Sequence, residues 1–453
     1  NAHGLIDNFE SSWRGDITNP NEYDIRLNFK GLTISGIPTM PGHLAQSGFK
    51  NLSGRLELNQ GGGHFVIDSP SSQLTFPGIF PEPSLTFDTL KLNGRWNTGS
   101  NAELTIEELL ASNRDTSLQL YGKWLNTGDL GTLEVRGDIH YLDARSAYRY
   151  IPLVAGGWGT NNWLKGALQG GIARNAKVDV YGPLREFPFH KSTNPNYIFK
   201  IEGDIENAKL DYLPSMKKDS KGQWIPGPWP WIDQIHGRIT FIGDGMTVRA
   251  HTGRAQGGAL LQNVTASIPS YGAHGVPLVI KGYAQAPLRA MADYVNHSPV
   301  SAMIGHPFEK STLRGDAQLE LDLYIPITEV HNTKVNGAVH LANNFVHLNN
   351  VPPLDKANGT VTFSEKGVWS PKLTAEVYGK SATGSINTDT SGKIIIAASG
   401  MADATMVAKI INSPASTSLL DFVKGETNAN VRVELHKGIR VHVESSLTGA
   451  YTQ

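Results

Sequence analysis

Fifteen histidines are the residues of this chain best suited to bind a metal or to move a proton near neutral pH. His340 and His347 share one segment that reads as strand, turn and strand, and His436 and His442 fall on a pair of strand-like runs. No two histidines stand four apart on a helical stretch around a glutamate, and no nucleophile elbow or phosphate loop is present. Cysteine is absent, which removes disulfides, thiolate nucleophiles and cysteine-ligated metals. The pattern therefore predicts no catalytic residues, no metal site and no cofactor. Gly243-Asp244-Gly245 could hold a cation or a phosphate, but it lies between two alternating runs, where Asp-Gly favours a hairpin turn.

The most unusual stretch runs from Trp224 to Trp231 and contains Trp224, Trp229 and Trp231 among three prolines. Prolines hold such a segment extended or turned, and three indoles are costly to leave in water. Two readings stand: a rigid loop packing its indoles on the rim of a sheet, or a lip over an apolar groove or at a membrane interface, where indoles are favoured.

The elements that must position these residues are strands. Tyr23, Ile25, Leu27 and Phe29 alternate with Asp24, Arg26 and Asn28; Leu319, Leu321 and Leu323 alternate with Glu320 and Asp322; Val431 and Val433 alternate with Arg432 and Glu434. Similar runs occur at 133–139, 177–181, 200–205, 238–250, 334–341 and 439–443. Period two gives one apolar and one wet face, the pattern of antiparallel strands solvated on one side. Helical stretches are few and short, at 142–150, 162–168, 288–294, 300–304, 402–411 and 416–423. The fold class expected is all-β with short helical inserts.

A degenerate repeat runs through the chain. Gly54, Gly237 and Gly359 each open an alternating run, and Gly137, Gly282 and Gly400 each close a strand that leads into a helical stretch. The chain then returns to a strand through Gly170, Gly315 and Gly425. The first copy holds an insertion around 85–92 and 118–125. Three modules follow, 1–196, 197–333 and 334–453, stacked as one continuous body rather than as independent domains.

The composition narrows the function further. Forty Lys and Arg against forty-one Asp and Glu give a formal net charge of −1, which argues against a nucleic-acid partner held by phosphate neutralisation. No apolar stretch approaches the ~20 residues of a membrane-spanning helix. Both ends read as mid-pattern, which predicts a piece cut from a longer protein. A hydrophobic fraction of 39% is modest, yet every strand has an apolar face to hide. A second sheet, barrel closure or a helical layer would do so; so would a sheet curled into a trough filled by acyl chains. Periodicity alone leaves a string of β-sandwiches and a trough both open.

Several segments resemble the AsmA-like superfamily, and within it the large YhdP-type proteins. They are Trp13–Asp16 leading to Tyr23–Leu27, Leu52–Leu56, Tyr150–Pro152 followed by Trp163–Gly171 and Gly182–Phe189, Leu210–Pro214, Trp229-Pro230, and Gly237–Met246. Their order holds from about residue 10 to the C-terminus. The resemblance implies no catalytic motif. It implies a body anchored in the inner membrane by a helix this chain does not include, crossing the periplasm of a Gram-negative bacterium, with partners at the outer-membrane side. The fold implied is a long curled antiparallel sheet, an elongated open apolar groove that carries phospholipid acyl chains toward the outer membrane. On this reading Ile25, Leu27, Ile239, Phe241, Leu321, Leu323, Val339, Leu341, Val431 and Val433 line the groove, and Trp224, Trp229 and Trp231 form its lip. The alternative is a structural or adhesive periplasmic repeat protein of β-sandwiches with filled cores.

Overall fold

The computed structural model describes residues 2–452 apart from 38–45, 190–193, 216, 223–224, 271–275, 305, 327–328, 330–331, 349–350, 404, 407–422, 436–438 and 447. The alternating runs form strands. In chain order these are β1 (Ala2–Asp16), β2 (Asn19–Ile34), β3 (Gly48–Asn59), β4 (Gly62–Thr75), β5 (Ser84–Asn97), β6 (Glu103–Ser112), β7 (Thr116–Leu125) and β8 (Thr132–Asp143). Next come β9 (Leu168–Pro183), β10 (Ile198–Leu210), β11 (Ile232–Ile242), β12 (Gly245–Ala255), β13 (Leu260–Ile268), β14 (Pro277–Pro287), β15 (Thr312–Arg314) and β16 (Asp316–Pro326). The last eight are β17 (Lys334–His347), β18 (Leu354–Ser364), β19 (Gly367–Val377), β20 (Lys380–Thr388), β21 (Ile394–Asp403), β22 (Val423–Leu435), β23 (Ile439–Ser445) and β24 (Ala450–Thr452). All twenty-four belong to one sheet, and every pairing described is antiparallel, as one-sided alternation requires.

The chain divides into two units. The first comprises Asn1–Gly227, Asp233–Arg249 and Ser267–Val276; the second comprises Pro228–Ile232, Ala250–Ala266 and Pro277–Gln453. In the first unit β1 to β10 pair in simple succession. In the second, β14 pairs β16, and β16 to β23 then follow in order. Tight turns set this succession. Gly243 and Asp244 alone separate β11 from β12, with Gly243 at φ 56°. Tyr378 and Gly379 join β19 to β20 with φ of 50° and 80°, the left-handed pair that matches strand twist. The Gly-Asp-Gly motif is thus a hairpin turn.

Helices interrupt the meander where the glycine pattern placed them. After β8 come a 3₁₀ helix, Ala144–Tyr150, and α1 (Leu153–Ala167), which is broken at Gly157. After β14 come α2 (Leu288–Asn296) and α3 (Val300–Met303). After β21 Thr405 and Met406 are helical, with the Asp403 carboxylate accepting the Met406 N–H at 2.8 Å. In each case the returning strand pairs the one that left: β9 with β8, β16 with β14, β22 with β21.

Several expectations shift. Tyr141 and Leu142 stay in β8, because they pair Arg174 and Ala173, so the helix there starts at Ala144 and is 3₁₀. The 162–168 helix begins nine residues earlier, at Leu153. Strand β21 runs on to Asp403 where a helix was expected from 402, because Met401 to Asp403 pair Glu426 to Asn428. The expected helix at 416–423 and His436 lie outside the described residues, apart from Val423 at the start of β22. His340 and His347 sit on one strand, not on two joined by a turn. A bulge at Ala342–Asn344 lets β17 continue, with Asn343 at φ 56° and the buried Asn344 amide donating to the Arg314 and Asp316 carbonyls.

Fourteen of the buried apolar residues gather in three small clusters. One gathers Phe29, Leu52, Leu85, Phe87, Leu90 and Ala111, with Tyr150 of the 3₁₀ helix against it. A second joins Ala255, Ala259, Ala286 and Ala290, with Met291 and Tyr294 of α2. The third holds Val377, Ala402, Met406 and Ala429. Each helical insert packs against one of these clusters. The chain exposes 26010 Å², whereas a compact monomer of 49.1 kDa exposes about 17,000 Å². A large share of the strand surface is therefore uncovered.

Candidate binding groove

In an antiparallel pair, directly opposed residues point to the same face, so the register converts alternation into rows. In the first unit one row runs Leu27, Leu56, Phe65, Gly94, Ile106, Gly122, Val135, Val180, Phe199, across nine successive strands without a polar residue. The row beside it is Phe29, Gly54, Ile67, Leu92, Leu109, Leu120, Gly137, Val178, Ile201. The second unit repeats the arrangement. Ala286, Ala317, Leu341, Gly359, Leu373, Gly384, Ala398, Val431 and Val443 cross nine strands from β14 to β23.

The opposite face carries the charge. Arg55 pairs Glu57 at 2.5 Å, Lys91 pairs Asp68 at 3.2 Å, and Lys281 pairs Asp322 at 3.6 Å. Lys356 pairs Glu376 at 2.8 Å, and His340 lies 3.3 Å from Glu320. These pairs are solvent-exposed and individually add little stability; they keep one face wet.

Most residues of the apolar rows are half-buried; α2 packs on the Ala286 end of the second unit's row, and Tyr150 of the 3₁₀ helix packs, like Leu27 and Leu56, against the cluster that holds Phe29. The helices make their principal contacts with β8, β9, β14 and β15. Side-chain size follows this coverage. Along β14 the inward positions read Leu278, Ile280, Gly282, Ala284, Ala286 toward α2, and along β21 they read Ile394, Ile396, Ala398, Gly400, Ala402 toward Met406. On these two strands alanine and glycine lie at the helix-bearing end, and leucine and isoleucine at the other. Ala284, Ala286 and Ala402 are buried while Leu278, Ile280, Ile394 and Ile396 are half-open; the first unit's cluster, by contrast, buries Phe29, Leu52, Leu85, Phe87 and Leu90.

Ile25, Leu27, Leu321, Leu323, Val339, Leu341, Val431 and Val433 all fall on this apolar face by their pairings. Ile239 and Phe241 are half-buried in β11. Their neighbour Arg238 turns the other way, 3.4 Å from Glu202. Trp224 lies outside the described residues. Trp229 and Trp231 are half-buried around a buried Pro230, with the Trp231 carbonyl accepting the Gln256 N–H at 3.0 Å. Pro230 borders a cavity of about 180 Å³ with Gln256, Gly257, Asp293 and His297.

Sequence reading missed a polar clamp in the first unit. The Arg149 guanidinium donates to Glu82 at 2.8 Å and to Asp115 at 2.6 Å, and the Tyr148 hydroxyl donates to Glu82 at 2.6 Å. Burial acts to raise the Glu82 pKa, but the Tyr148 hydrogen bond and the Arg149 and Lys165 charges outweigh it, and the carboxyl lies below its ordinary value. The Tyr148 phenol is pushed up to about 12 by burial and by that same carboxylate. The clamp ties the 3₁₀ helix to two loops at the strand ends; its members lie far apart in the chain, so no local signal announces it. Among the described residues no cluster of His, Asp or Glu is arranged to hold a metal, and no helix is long and apolar enough to cross a membrane.

Comparison with known proteins adds the family. A relative in Escherichia coli (strain K12), the intermembrane phospholipid transporter YhdP, is 25% identical over 309 residues. The match covers 67% of this chain and 22% of that protein, so the chain spans only about a fifth of its relative's length. No solved structure matches. The model of the YhdP protein family matches residues 1–452, and with an apolar row across nine strands already established in each unit, the chain belongs to the YhdP family.

Proposed function

We propose that this chain is a stretch of a non-enzymatic, bridge-like phospholipid conduit. Acyl chains lie along the apolar rows while headgroups remain in solvent. The observation that carries this reading is the run of opposed apolar residues over nine successive strands, half-open to solvent in both units. Contact with an acyl chain contributes about 0.8 kcal/mol for each methylene removed from water, and a continuous row offers similar sites along its length, so a chain slides without one deep minimum. Ile25, Leu27, Ile239, Phe241, Leu321, Leu323, Val339, Leu341, Val431 and Val433 are the lining in this reading, and Trp229 and Trp231 are part of its lip. The relative's name, an intermembrane phospholipid transporter, supports the cargo class and a periplasmic setting between two membranes. The three modules, 1–196, 197–333 and 334–453, each contribute one helix-bearing strand connection with a small buried cluster under it.

Native mass spectrometry of the chain purified from a bacterial envelope tests the reading. Mass additions of whole phospholipids, released by activation, are expected. A chain that carries none, and that takes up no fluorescent phospholipid after delipidation, is not a conduit.

A further inference from the structure

We propose that Gly337 sets the headroom of the groove in the second unit, by giving the Phe363 ring a place to lie along the floor instead of standing in the lumen. The inference rests on the conduit reading and names a residue that governs passage. Gly337 lies in mid-strand on the apolar face, opposite Leu321 on one side and Phe363 on the other. Its row reads Gly282, Leu321, Gly337, Phe363, Val368.

A glycine inside a strand weakens it unless something approaches closely. Gly337 is not among the residues with positive φ, so the backbone does not demand glycine. Space does. The three atoms nearest to a methyl placed on Gly337 are Cζ, Cε1 and Cε2 of Phe363, the tip of its ring, and the first would overlap that methyl. The ring therefore occupies the place a side chain at 337 would take.

The same contact recurs in the first unit, where a methyl on Gly94 would lie 2.6 Å from Phe65 Cζ. There the Thr105 carbonyl also stands at 2.7 Å, so the backbone requires glycine as well. Gly337 isolates the ring. A methyl at 337 drives Phe363 up by rotation about its own bonds, toward the open apolar face on which it lies. The glycine thus acts through Phe363, and the ligand it admits is an acyl chain resting on the flat face of the ring.

The test uses the 453-residue chain, delipidated and offered phosphatidylethanolamine with a nitrobenzoxadiazole-labelled acyl chain, with folding followed by circular dichroism and thermal melting. Gly337→Ala is expected to lower probe occupancy per folded molecule about fourfold, the equivalent of losing one methylene's contact. Phe363→Ala, which gives up only the ring's own contact, is expected to lower occupancy less than Gly337→Ala does, and the Gly337→Ala/Phe363→Ala double variant is expected to match Phe363→Ala. Wild-type occupancy in Gly337→Ala, or a double variant as poor as Gly337→Ala, overturns the proposal. Should Gly337→Ala not fold, Leu321→Phe brings a second ring against the same glycine; a similar loss supports the proposal and unchanged uptake overturns it. A wild-type chain that takes up no probe removes the conduit reading and this inference together, whereas uptake unaffected by both variants removes this inference alone.

Discussion

The two ends of β14 obey opposite rules, one lying under α2 and the other carrying large half-open residues. Beneath α2, Ala286 of β14 is buried against Ala290 and Met291, and Ala284, on the same face of the strand, is buried as well. A few residues back along β14, Leu278 and Ile280 remain half-open. On β14 small residues lie where α2 packs and large ones where the face stays half-open, the reverse of the first unit's cluster, where Phe29, Leu85, Phe87 and Leu90 are buried. The second unit seats its helix on small residues, whereas the first closes a core of large ones.

The first way to break this contrast is to empty a covered site. Leu90 is 1% exposed at the heart of the first unit's cluster, and Leu90→Ala should cost about 2–5 kcal/mol by chemical denaturation. Second, Ala286→Leu should overpack the seat of α2 and cost about 1–3 kcal/mol. Val433→Leu, on the open face, should shift the melting temperature hardly at all. Equal losses at 286 and 433 would erase the distinction. Val433→Asp sharpens it from the other side: stability should change little, while uptake of a fluorescent phospholipid falls, because a carboxylate must lose water where an acyl chain would lie.

The polar clamp predicts a smaller, pH-dependent effect. Glu82 has a pKa lowered from an ordinary 4.5 in the folded chain, so its contribution is present above about pH 4.5 and is lost as the pH falls through the lowered value. Glu82→Gln should flatten the acid limb of a melting-temperature profile below pH 4.5, leaving neutral-pH stability slightly reduced. The smallest effect belongs to the tryptophan loop. Trp229→Ser with Trp231→Ser should leave the fold intact and weaken lipid retention; unchanged lipid content would assign those indoles to packing alone.

The strands, their one-sidedness and the three helix-bearing connections were legible because alternation and strand-ending glycines are local signals. Arg26 next to Leu27, or Asp322 next to Leu323, states which parity meets water. The face shared by Leu27, Gly94 and Phe199 was not legible, because register depends on partners far apart in the chain. The Asn343 bulge has no local signature that separates it from a turn, since a single left-handed residue in a strand and one in a hairpin share the same local chemistry. The Glu82–Arg149–Asp115 clamp and the Phe363 ring over Gly337 had no periodic signature at all.

By itself, the sequence determined that this chain is a meander of one-sided antiparallel strands, since a period-two pattern permits no other economical burial. Its ordered motifs also placed it among YhdP-type proteins. Only the tertiary structure decided that the apolar faces join into rows and where the helices pack on them. Glycines such as Gly337 are likewise seen there to be shaped by the ring beside them. The reason is physical: alternation is a property of one backbone, whereas a row, an uncovered face and a ring lying on its neighbour's glycine are properties of strands brought side by side.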